Sequence, residues 1–297
     1  MKARTIADPA GKWRVARAMS TIAVSIVAAS ALAGCATLGG PVASQQSDDA
    51  ISGASQSNLT SLSEVIEKHP EDPQAYNMRG SAYGETGRDA QALADFNKAV
   101  SLDPNYAQAY ANRALVYRRT NQLDLALADY NKALSLQPAY APAYLGRGIV
   151  YSLGGNAVQA LADFNKAIAL VPNNPQAYYN RGLLYRSQGQ QQFAIDDFST
   201  AIGLAPQRAE SYVARALSYL AAGDNQAAAK DLDQAVQLDP ADLKAWTSRG
   251  LAYERLGQTE KAAGSYAKAL NLDDKYAPAV AGFARVGGQV GKAYQTF

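Results

Sequence analysis

The 297-residue chain holds one cysteine and one histidine. Its stock of strong nucleophiles and soft metal ligands is therefore almost empty. Cys35 has no base near it in sequence, and His69 sits beside Pro70 at a helix end. A thiolate nucleophile needs a base within hydrogen-bond reach, and a zinc site needs several His, Cys or carboxylate ligands at set spacings. There is no G-x-x-x-x-G-K-[ST] phosphate loop and no G-x-S-x-G elbow. Asp196 and Asp197 are adjacent carboxylates, but neighbours on a helix point apart. The sequence predicts no catalytic site, no metal and no cofactor.

The remaining candidates for chemistry are paired charges. Arginine recurs every 34 residues at Arg79, Arg113, Arg147, Arg181, Arg215 and Arg249. An aspartate follows the first five at constant distance: Asp95, Asp129, Asp163, Asp197 and Asp231. The sixth unit has Ser265 there. Each arginine is expected to meet its aspartate between two helices as a repeated structural ion pair, since no catalytic step needs six copies.

The elements that place these pairs follow from the same period. Proline marks it at Pro70, Pro104, Pro138, Pro172, Pro206 and Pro240. With Pro73 as position 1, six units fill residues 73–276. Position 4 is aromatic (Tyr76, Tyr110, Tyr144, Tyr178, Tyr212, Trp246), position 8 is Gly or Ala, and position 11 is Tyr throughout. These three share one helix face. A turn follows, often with glycine (Gly87, Gly155, Gly189, Gly223, Gly257). A second helix then carries Ala at positions 20 and 27 and a bulky residue at 24: Phe96, Tyr130, Phe164, Phe198, Leu232, Tyr266. The proline at position 32 ends it.

This pattern resembles the tetratricopeptide repeat (TPR), from which it departs mainly by Arg at position 7. The resemblance implies an all-α fold, a TPR-type α-solenoid, in which antiparallel helix pairs wind into a right-handed superhelix. Residues 57–72 are expected to form a capping half-repeat helix, with Leu62 and Val65 on the core positions 24 and 27. Residues 277–297 are expected to supply a C-terminal capping helix and tail. Sixteen of the 18 tyrosines occupy repeat positions and read as core; Tyr179 and Tyr294 do not.

In this family, first-helix positions 2, 5, 9 and 12, with 6 and 13 beside them, line a groove. Here they give Asn77, Asn112, Leu115, Arg118, Arg119, Leu145, Ile149, Tyr179, Asn180, Leu183, Arg186, Val213, Leu217 and Leu251. The middle is apolar, with Tyr179 as a candidate anchor. Asn112 and Asn180 are candidates for holding an extended backbone. The resemblance implies a non-enzymatic scaffold whose partners are proteins or peptides. The alternative is a glycan or peptidoglycan binding module using Tyr179 and the asparagines. Self-association through exposed helix ends is a further expectation.

The first 34 residues read differently. A basic stretch to Arg17 precedes a mostly apolar run over 18–34, the order of a secretory signal. It ends in Leu32-Ala33-Gly34-Cys35, which resembles a bacterial lipobox whose cysteine is lipidated. Residues 35–56, rich in Ala, Gly, Ser and Gln, form the expected flexible tether, with a typical reach of roughly 26 Å. The expected location is the inner leaflet of the outer membrane, facing the periplasm. Without the basic leader the chain is slightly acidic, and it has no basic stripe of the kind nucleic acid requires.

Overall fold

A computed structural model describes residues 57–289, 291 and 294, all within the unit Asp48–Phe297. The leader, Cys35 and the tether lie outside the described residues. Among the described residues there are fourteen helices and no strand. Helix α1 covers 57–68. Six antiparallel pairs follow: α2 (Pro73–Glu85) with α3 (Asp89–Leu102), α4 (Ala107–Arg119) with α5 (Leu123–Leu136), and α6 (Ala141–Leu153) with α7 (Ala157–Leu170). Next come α8 (Pro175–Ser187) with α9 (Gln191–Leu204), α10 (Ala209–Ala222) with α11 (Asn225–Leu238), and α12 (Leu243–Arg255) with α13 (Thr259–Leu272). A last helix, α14 (Ala277–Arg285), packs on α12 and α13.

Local chemistry sets the boundaries. Asp72, Asn174 and Asp242 cap α2, α8 and α12 by accepting from backbone N–H groups, each cap being worth about 1 kcal/mol. The turn inside each pair needs one left-handed residue. Glycine supplies it in five units, and Asn121, at φ 60°, supplies it between α4 and α5. Asparagine tolerates that region better than other side chains. The position-4 aromatic ties the proline turn before it: Tyr144, Tyr212 and Trp246 donate to the carbonyls of Pro138, Pro206 and Pro240.

Inside each pair a small residue on the first helix faces a ring on the second. A Cβ on Gly148 or Gly182 would stand 2.8 Å from the ring of Phe164 or Phe198. Ala92, Ala126, Ala160, Ala194, Ala228 and Ala262 are fully buried along the second helices, so close approach runs the length of the array. Every pair also packs on the next, with first helices touching first helices, as α4 does α6.

The front end departs from expectation. Helix α1 buries Leu59 and Ile66, leaves Leu62 half-buried and exposes Val65. Val65 holds a position that is buried alanine elsewhere. Among the described residues no first helix pairs with α1 to cover it.

Candidate functional site

The arginines at position 7 join three helices each. Arg79, Arg113, Arg147, Arg181 and Arg215 donate through Nε and Nη2 to both carboxylate oxygens of Asp95, Asp129, Asp163, Asp197 and Asp231, at 2.7–2.8 Å. The third nitrogen, Nη1, reaches back to the preceding second helix. It meets Ser63, Asn97, Asn131, Asn165 and Ser199 in turn. In α12 the charges trade places. Arg249 is bound to Asp233 of α11 at 2.7 Å and to Ser265 of α13 at 2.9 Å.

Aromatic rings flank each guanidinium: Tyr76 and Tyr83 lie 5.8 Å from Arg79, and Trp246 and Tyr253 stand beside Arg249. The position-4 and position-11 tyrosines are mostly half-buried walls for a cation rather than interior residues. Hydrogen bonding to aspartate raises the five arginine pKa values further. These groups bind one another, which leaves them no reach for a ligand. The backward contact is a feature the sequence analysis missed. Its signal was a hydrogen-bonding residue at position 25 of the first five units (Asn97, Asn131, Asn165, Ser199, Asp233) and at Ser63.

The surface that faces outward is a ladder on the first helices. Position 9 is aliphatic in five successive units: Leu115, Ile149, Leu183, Leu217 and Leu251. Leu115 is 48% exposed, and the other four are half-buried. Leu145, Tyr179 and Val213, at position 5, are half-buried beside them. Their inner sides rest on the core: Tyr179 meets Phe198 at 5.8 Å between ring centroids, and Leu145 and Ile149 pack on the cluster around Phe164. Burial raises the Tyr179 hydroxyl pKa.

The ladder ends in a cleft on each side. One, of about 260 Å³, lies between α2 and α4 and is lined by Ser81, Asn112, Leu115 and Arg119. The other, of about 400 Å³, is lined by Leu217, Lys244, Leu251, Tyr266 and Arg285. Tyr266 donates to Glu254 at 2.6 Å, and Arg285 holds the same carboxylate at 2.8 Å.

The polar groove residues have other work. Asn112 donates to Asn77 at 3.0 Å and also contacts Ser81, while Asn77 donates to Tyr106. Asn180 donates to the Gln176 carbonyl of its own helix at 2.7 Å. Arg119 pairs with Asp89 and donates to the Gly84 carbonyl. Arg118 and Arg186 differ from it: neither forms an ion pair among the described residues. The Nε of Arg118 is buried with no hydrogen-bond partner. Arg186 lies over Phe198, and burial lowers its pKa.

A second apolar surface was not foreseen. Leu153, Val158 and Phe193, at the pair-turn ends of α6, α7 and α9, are 62%, 80% and 59% exposed. Among the described residues there is no group of three or more His, Cys, Asp or Glu placed to hold a metal, and no helix long and apolar enough to cross a membrane.

Comparison with known proteins follows the same lines. A TPR repeat model matches residues 80–121 and 153–189, and tetratricopeptide repeat models match 107–140, 175–208 and 213–278. No curated protein matches the sequence. The APC/C hetero-tetramer Cut9-Hcn1 superposes with a TM-score of 0.70 at 21% identity, over 79% of this chain and 46% of that one. The chain thus spans under half the length of that structure. YrrB, described as a TPR protein with an unusual peptide-binding site, gives 0.53 at 26% identity, over 63% of this chain and 96% of its own. PilF of Pseudomonas aeruginosa gives 0.65 at 20% identity, over 72% and 97%.

Proposed function

The chain belongs to the tetratricopeptide repeat family, and from that premise we propose that it is a non-enzymatic scaffold that docks a protein segment along the ladder from Leu115 to Leu251. The carrying observation is the run of five aliphatic residues left open on successive first helices. Scattered apolar surface needs no explanation, whereas a continuous apolar strip marks an interaction site. YrrB, at 26% identity, supports a peptide as the class of partner. A glycan partner fits less well, because Asn77 and Asn112 are hydrogen-bonded within the array.

In this reading Cys35 carries the lipid, and the tether lets the array work at a membrane surface. The site of action is the periplasmic side of the outer membrane, and the task is envelope proteolysis, peptidoglycan remodelling or assembly of an envelope machine. Two experiments test these parts separately. A photocrosslinker at Leu183 should trap a partner that one at Val158 does not; equal trapping would refute the ladder. Cys35→Ser should leave the chain without lipid and without its normal processing; processing and membrane retention as before would refute lipidation.

A further inference from the structure

We infer that the segment held by the ladder is an amphipathic α-helix with a seven-residue apolar repeat and acidic residues about fourteen apart. This rests on the ladder being the docking surface. Three observations lead to it.

The first is backbone satisfaction. An extended peptide brings N–H and C=O groups that need partners once water is excluded. The groove asparagines already use their amide nitrogens within the array. The Asn112 nitrogen donates to Asn77 and to Ser81, Asn77 donates to Tyr106, and Asn180 donates to its own helix. A helix satisfies its own backbone and asks only for apolar contact.

The second is spacing. Successive first helices are in contact, and packed helices lie about 8–10 Å apart. Each unit therefore advances the ladder by about 10 Å. Seven residues of α-helix advance about 10.5 Å, so one heptad matches one unit and five rungs match about five heptads. In a strand, an advance of about 10 Å takes three residues and turns the side chain to the opposite face.

The third is charge. Arg118 and Arg186 occupy position 12, two units apart; the Nε of Arg118 is buried without a partner, Arg186 reaches the Ala214 carbonyl at 3.5 Å, and neither is in an ion pair among the described residues. An uncompensated, half-buried cation beside an apolar strip favours an acid on the ligand. Two units correspond to about fourteen helical residues.

The test displays two peptide libraries against the full chain. Both randomise the same positions at seven-residue spacing, one in an Ala/Lys/Glu helical frame and one with proline at every third frame position. Selection should enrich the helical frame, with Leu, Ile or Phe at heptad spacing and Glu or Asp near the flank. A selected peptide should bind Arg186→Gln about tenfold more weakly, and its Glu→Gln version should lose that difference. Enrichment of the proline frame, or of neither frame, would overturn the inference. Leu115→Asp separates the two levels, because Leu115 is exposed and its replacement spares the core. Proline-frame peptides that lose binding to Leu115→Asp would leave the ladder standing and remove the helix. Peptides of either frame indifferent to Leu115→Asp and Leu183→Asp, with helical circular dichroism unchanged, would remove both.

Discussion

Arg249 takes its carboxylate from Asp233, sixteen residues before it, whereas Arg79, Arg113, Arg147, Arg181 and Arg215 take theirs sixteen residues after. The hydroxyl and the carboxylate have exchanged sides around one guanidinium. Arg249 is 2% exposed, so it must have a negative partner on one side or the other. A buried arginine is satisfied by position as well as by charge. The array keeps a polar contact on both sides of each arginine while allowing the charge to move between adjacent second helices.

Asp233→Asn is therefore expected to destabilise the C-terminal units by about 1–2 kcal/mol, less than the cost for a fully buried pair, because Arg249 is buried while Asp233 is 36% exposed. Adding Ser265→Asp should restore most of the loss by recreating the arrangement of the first five units. Urea unfolding of the two variants checks this. If the second change restores nothing, the exchange of sides is not what satisfies Arg249.

Glycines at equivalent-looking helical sites should respond in opposite senses. A Cβ at Gly146 would lie 2.3 Å from the ring of Tyr130, while at Gly84 it meets only the end of Arg119 at 3.8 Å. Gly146→Ala should cost about 1–3 kcal/mol through overpacking. Gly84→Ala should stabilise by up to about 1 kcal/mol through helix propensity. Thermal unfolding of both proteins reads the difference. Tyr130→Leu should relieve part of the Gly146→Ala cost.

The C-terminal helix should loosen in acid. Hydrogen bonds from Arg285, then from Tyr266, hold the Glu254 carboxyl below the usual carboxylate range. The stabilisation is complete above the ordinary glutamate value of about 4.3 and fades as pH falls through the lower folded value. Hydrogen exchange in α14 should accelerate as pH falls below the ordinary glutamate value of about 4.3, and Glu254→Gln should abolish that pH step. A step that persists in Glu254→Gln would assign it to another group.

The fold is legible in the sequence because one unit repeats. Tyr, Gly and Tyr at positions 4, 8 and 11, and Ala, bulky and Ala at 20, 24 and 27, each mark one face of one helix. The spacing between Arg79 and Asp95 is likewise set inside a unit. Contacts between units escape this reading. The backward bond from Arg113 to Asn97 and the pairing of Tyr130 with Gly146 join helices whose relative placement the period does not state. The asparagines escape it for another reason. Asn77 and Asn112 look available when each is read alone, and only their adjacency shows that they bond to each other. Val65 breaks the pattern because, among the described residues, α1 has no partner helix that would cover it.

The account stands most directly on what happens when charge is placed on the ladder. Partner recovery by quantitative crosslinking and pulldown should be compared for the full chain, Leu115→Asp, Tyr179→Ala and Val158→Asp, each with unchanged helical content. Recovery should fall about tenfold or more for Leu115→Asp, an apolar contact with water excluded being worth at least about 1.4 kcal/mol. It should fall less for Tyr179→Ala and stay unchanged for Val158→Asp. Undiminished recovery with Leu115→Asp and Tyr179→Ala, or loss confined to Val158→Asp, would place docking elsewhere and contradict the assignment of the ladder.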